Sequence, residues 1–168
     1  MLSGRGTFML RLFRIFGILL ALVWVSACNM EDRGLSKLQV TEDLTLGSRL
    51  DDVKTDWFLY STKALQVDQV LSTDTHLAYR GVSRDPSVTE FYFFFNNKTL
   101  VLDQVEWRYH TSMAESKEKE LLDKWTKKLW PPSYQPRWNT HVYVWRDRKA
   151  KLELYVADGI CHLVHQLN

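Results

Sequence analysis

The thiolate is among the most reactive side chains near neutral pH, and this chain of 168 residues contains two cysteines, Cys28 and Cys161. Cys28 closes Val25-Ser26-Ala27-Cys28 directly behind an apolar run. The chemistry open to a thiol there is alkylation through its thiolate. Cys161 opens Cys161-His162-x-x-His165, which places three potential metal ligands within a short stretch. In a strand, alternation puts Cys161 and His165 on one face about 13 Å apart and His162 on the other. One metal cannot take all three, so no metal site is assigned, and Cys161 is expected to be a buried, inert thiol.

Catalytic patterns are not found. The chain has no Cys-x-x-Cys, no His-Glu-x-x-His, no glycine-rich phosphate loop and no Gly-x-Ser-x-Gly elbow. No Ser, His and Asp spacing nominates a triad. Asp51 and Glu115 read as helix caps, and Glu118 and Glu120 as part of a solvated helix face. No catalytic residue and no cofactor is assigned. Trp130, Tyr134 and Trp138 surround Pro131-Pro132; aromatics on such a loop either engage a sugar or peptide partner or pack beneath the loop. They form the candidate partner-binding loop.

The leader explains Cys28. Arg5, Arg11 and Arg14 come with no acid, Ile15 to Val25 carries no charge, and small residues follow. Positive, then apolar, then small is the layout of a secretory signal. A permanent span needs about 20 apolar residues, so this stretch is expected to be removed. Val25-Ser26-Ala27-Cys28 resembles the lipobox of bacterial lipoproteins. The resemblance implies that Cys28 receives diacylglycerol, that residues 1–27 are cleaved away, and that the new amine takes a palmitate-class acyl chain. Two or three chains then hold the protein durably, whereas one holds weakly. Asn29, in place of Asp, implies sorting to an outer membrane facing the periplasm. The alternatives are ordinary secretory cleavage after Ala27 and an uncleaved membrane anchor.

Removing residues 1–27 takes away three arginines and no acid, leaving 19 basic against 20 acidic side chains and a formal charge of −1 in place of +2. No basic excess points to nucleic acid. The remaining 141 residues keep six tryptophans, enough for a sizeable core. With Cys28 committed to lipid, Cys161 has no partner for an intramolecular disulfide.

The elements that follow predict an α+β fold. Residues 28–45 are polar and aperiodic and read as a lipidated tether. Ser48 and Asp51 are spaced as a capping box for a helix that carries Leu50, Val53 and Trp57 and ends near Tyr60. His76–Gly81, Phe91–Phe95 and Leu100–Tyr109 read as strands, with a turn at Asn96-Asn97-Lys98; Gln66–Ser72 is ambiguous. Five successive aromatics predict a strand covered on both faces. A second helix follows Ser112 and Glu115, presents Leu121, Leu122, Trp125 and Leu129, and stops before Pro131-Pro132. His141–Trp145, Ala150–Val156 and Ile160–Leu167 are the last strands, the final two joined by Asp158-Gly159.

The halves resemble each other. Thr75-His76-Leu77 matches Thr140-His141-Val142, and Phe91, Phe93 and Phe95 parallel Leu152, Leu154 and Val156. The expectation is two tandem helix-plus-antiparallel-β units (αβββ-like), 46–110 and 111–168, with helices on one sheet face and 46–168 forming one domain. A Leu-Gly-Ser start, a capped helix and aromatic hairpins behind a lipobox resemble the small α+β lipoproteins grouped around the smallest lipoprotein subunit of the β-barrel assembly machinery. The tandem order resembles the β-lactamase-inhibitor-protein-like fold. These resemblances imply a habit of binding proteins. The expected function is a lipid-anchored, non-catalytic envelope protein that binds or scaffolds another envelope protein. The alternatives are a cell-wall or glycan-processing enzyme with a hidden carboxylate site, and an inhibitor-like binding protein.

Overall fold

The computed structural model describes residues 34–39, 44–109, 112, 114–137 and 140–168; Cys28 and Trp138 lie outside this set. A 3-10 turn (Leu35–Lys37) precedes helix α1 (Leu50–Ser61) and strands β1 (Gln66–Val67), β2 (His76–Gly81), β3 (Val88–Asn96) and β4 (Leu102–Tyr109). Helix α2 (Ala114–Lys128) then leads into β5 (Ser133–Arg137), β6 (Thr140–Arg146), β7 (Ala150–Ala157) and β8 (Ile160–Leu167). All eight strands join one antiparallel sheet in the order β1-β2-β3-β4-β8-β7-β6-β5. The fold is α+β and dominated by its sheet. Each helix is followed by four strands, not three. A cut at residue 110 separates β4 from β8, which are paired from Gln104↔Gln166 to Tyr109↔Cys161.

Both helices press on one face of the sheet. Trp57 of α1 stacks on Phe91 with ring centroids 4.7 Å apart and planes 9° from parallel, and meets Phe93 edge-on at 4.9 Å. Trp125 and Leu121 of α2 share the same core with Leu152, Leu154, Cys161 and Leu163. Burying each such side chain fully contributes about 1.5–3 kcal/mol. Gly81 is required by this packing, since a Cβ there would lie 2.7 Å from the Trp57 indole.

Two local expectations are corrected and a third is refined. Ser48 does not cap α1: its hydroxyl donates back to the Thr45 carbonyl at 2.9 Å, and the N-cap residue is Arg49 without a side-chain bond. The five-aromatic stretch of β3 is covered on both faces, with Tyr92 only 3 % exposed, but a layer of helices covers just one of them. Phe91, Phe93 and Phe95 meet the helices, while Tyr92 and Phe94 lie on the opposite face among polar side chains.

The second correction concerns the tether. Gly34–Asn168 forms one compact unit, and Leu35, Leu38 and Leu44 are buried in its core. Polar composition hid them because each leucine stands isolated, with no period to reveal it. Leu35 is pinned at both backbone groups. Its N–H donates to Asp147 Oδ2 at 2.6 Å, and its carbonyl accepts from His165 Nε2 at 2.8 Å.

Candidate functional site

On the face away from the helices, side chains alternate out of the same strands that build the core. Register sets them in rows. Glu90, Arg108, His162 and Tyr155 lie directly opposite one another across β3, β4, β8 and β7. The neighbouring row is Tyr92, Glu106, Val164, Glu153 and Val144. All five of these residues are at most 6 % exposed, although neither helix packs there.

Charge is locked along these rows. Glu106 Oε1 accepts from Arg108 Nε and from His162 Nδ1, both at 2.8 Å. Arg108 Nη1 donates to Glu90 Oε2 at 3.1 Å, and Glu90 pairs in turn with Arg80 at 3.3 Å. Tyr155 stacks on His162 at 4.8 Å, 6° from parallel, and the Arg108 guanidinium sits 4.6 Å from the Tyr92 ring centre. Towards the far edge, Glu153 pairs with Lys151 at 2.9 Å and with Arg137 at 3.7 Å.

The electrostatics follow from this geometry. Burial alone would raise the Glu106 pKa, but hydrogen bonds from His162 and Arg108 outweigh it and hold the carboxyl below its ordinary range. Burial works against the Arg108 charge, and the bonds to Glu106 more than offset it. Burial, with Glu106 and Glu153 nearby, pushes the Tyr155 phenol up to about 12. A carboxylate with its charge so held is a poor proton donor near neutral pH. What the row offers is a set of rigid aromatic and cationic groups, the residue types that dominate protein–protein hot spots.

The residues singled out from sequence fall elsewhere. Trp130 and Tyr134 do not share a loop, because Tyr134 lies within β5, an edge strand that Pro136 disguises; Trp138 lies outside the described residues. Trp130 accepts a hydrogen bond from Trp145 Nε1 at its carbonyl, 2.6 Å, and packs against the core. Tyr134 is 61 % exposed. Cys161 is fully buried and burial pushes its thiol up to about 12, so it is unreactive. Cys161 and His165 face the helices while His162 faces away, as alternation predicts. The Glu106 row went unread because its residues are far apart in sequence. Its signal was the charge at alternate positions inside apolar strands, Glu106 and Arg108 between Val105, Trp107 and Tyr109. Comparison with protein-family models, curated proteins and solved structures finds no match, so the reading of this face rests on its own geometry.

Proposed function

We propose that this is a lipid-anchored protein of the bacterial cell envelope that binds another envelope protein through the helix-free face of its sheet, without catalysis. The row Glu90–Arg108–His162–Tyr155 carries the reading. Its aromatic and charged groups are fixed before any partner arrives, which lowers the entropy lost on binding. The lipobox-like Val25-Ser26-Ala27-Cys28 supplies the anchor. Leu35 enters the core seven residues after Cys28, so the chain between them reaches at most about 25 Å. A short leash of this kind favours a partner that is itself at the membrane.

A photo-crosslinking residue at Gln104 or Gln166, both on this face, is expected to capture one discrete protein in cells. The same residue at Ser116, on α2, is expected to capture none. Tyr155→Ala should weaken that capture about thirtyfold or more, as hot-spot truncations do. Cys28→Ala should release the protein from membranes and abolish a lipid mass increment. No discrete product at Gln104 and Gln166 would end the binding reading; an unmodified Cys28 in purified protein would end the anchor reading.

The halves also support descent by duplication into tandem units. Equating Phe93 with Leu154 and Phe91 with Leu152 sends Val105 to Leu163 and Trp107 to His165. The pair Val105↔His165 then maps onto Leu163↔Trp107, which is itself a pair, and Glu106 maps onto its own partner Val164. Tyr79 falls on Tyr143, and the edge positions Gln66 and Val67 fall on Ser133 and Tyr134. The shared Thr-His tripeptide is not part of this match: His141 aligns with Leu77, so His76 and His141 lie on opposite faces. An experimental structure in which rotation about Glu106–Val164 fails to superpose β1–β4 on β5–β8 would remove the duplication.

A further inference from the structure

On the helix-covered side, where α2 meets β5 at the sheet edge, a groove of about 450 Å3 opens. This lies within the range of small-molecule sites, about 300–1,000 Å3. Leu122, Pro132 and the rings of Tyr134 and Tyr143 form its walls, with Asp123, Thr126 and Lys127 along the helix. The Tyr134 ring stands 5.8 Å from Tyr143 at 67° and 5.7 Å from His141 at 22°. One turn before Leu122, Glu118 places Oε1 3.4 Å from His141 Nε2, and that oxygen is buried with no hydrogen-bond partner among the described residues. The groove is separate from the Glu106 row and does not depend on its role.

The composition of the groove selects among ligand classes. Its apolar walls call for a ligand with an apolar face. Its lining carries one carboxylate and one ammonium, Asp123 and Lys127, so neither an anion nor a cation meets a one-signed field. Asp123, Lys127 and Thr126 offer acceptors and donors together, which suits hydroxyls that both donate and accept. An added peptide strand is disfavoured, because Pro136 lacks the N–H that an edge must offer. A neutral ring with hydroxyls at its rim and C–H bonds on its face meets all of these conditions.

We propose that the groove between α2 and β5 binds a neutral oligosaccharide, with the exposed Tyr134 ring as the platform on which a hexose stacks and Asp123 and Lys127 bonding its hydroxyls. Calorimetric titration of the full chain with cellotetraose and with chitotetraose tests this, in a detergent without a sugar headgroup. Saturable binding of at least one probe is expected. Tyr134→Ala should weaken it about tenfold, Tyr134→Trp should preserve it, and Val67→Ala at the opposite sheet edge should leave it unchanged. If Tyr134→Ala lowers the melting temperature, Asp123→Ala on the exposed helix surface carries the test, again with weakened binding expected. Absence of saturable binding with both probes, or full affinity retained in Tyr134→Ala and Asp123→Ala, would overturn the proposal.

Discussion

Trp57→Ala is expected to destabilise the fold by about 3 kcal/mol, the lower end of the 3–5 kcal/mol typical for removing a buried aromatic. Trp57 is 1 % exposed and fills the space between α1 and the Phe91–Phe93 pair. Two effects oppose each other. The cavity left by an indole is large, but Trp57 Nε1 is buried with no hydrogen-bond partner among the described residues, and deleting it relieves a cost of about 1–3 kcal/mol. Trp57→Phe, which keeps most of the ring and drops the N–H, should therefore change stability far less than the alanine. Gly81→Ala attacks the same contact from the strand and should cost about 1–3 kcal/mol through overpacking. In a Trp57→Phe background the smaller ring leaves room for the new methyl, so the two changes should not add. Urea unfolding of the parent and the four variants measures each step. A neutral Gly81→Ala would mean that the indole yields, and the close approach would then not be what demands glycine.

Trp57 also illustrates what was legible in the sequence. Leu50, Val53 and Trp57 repeat at helical spacing, and α1 forms over the residues that this spacing marks. Ile160–Leu167 is a strand to its exact ends, bounded by the Asp158-Gly159 turn with Asp158 at φ 51°. Periodic elements with strong punctuation are readable because local preference and burial agree. Elements stabilised only by distant partners are not. β1 is two residues long and exposed, held by its register with Arg80 and Tyr79. β5 exists through pairing with β6, and its own residues argue against a strand. Leu35 is core only because Asp147 and His165, more than 100 positions away, hold its backbone.

The candidate sites follow the same rule. A motif of neighbouring residues announces itself, as Val25-Ser26-Ala27-Cys28 does. The Glu106 row draws one or two residues from each of several strands, and only the register β3-β4-β8-β7 brings them together. Tyr134 was recognisable as an exposed aromatic beside prolines. Its neighbours in the groove, Leu122 and Tyr143, are joined to it by tertiary packing alone.

Acid should loosen the fold through His165. The ring is fully buried and donates from Nε2 to the Leu35 carbonyl, while Nδ1 has no hydrogen-bond partner among the described residues. Burial lowers its pKa from 6.5 to about 4, against smaller opposing effects of the Leu35 bond and Asp147. The unfolded chain therefore binds a proton here between about pH 6.5 and pH 4 that the folded chain refuses. Stability is undiminished above that window and falls as pH drops through it, by up to about 3 kcal/mol. Glu106, held below its ordinary range, adds a loss at lower pH, and Asp103, raised by burial despite His76, acts in the opposite sense. A difference measurement isolates the histidine. His165→Asn retains a donor for the Leu35 carbonyl and cannot titrate, so it should be less stable than the parent at neutral pH and lose less on acidification. Urea midpoints across the window would show the two curves converging. Parallel curves would mean that His165 is charged in the folded state or that Leu35 leaves its carbonyl site. Because the clamp holds Leu35, the first core residue among those described, its release would also lengthen the chain between the proposed anchor and the sheet, and protease cleavage before Leu46 should rise over the same pH range.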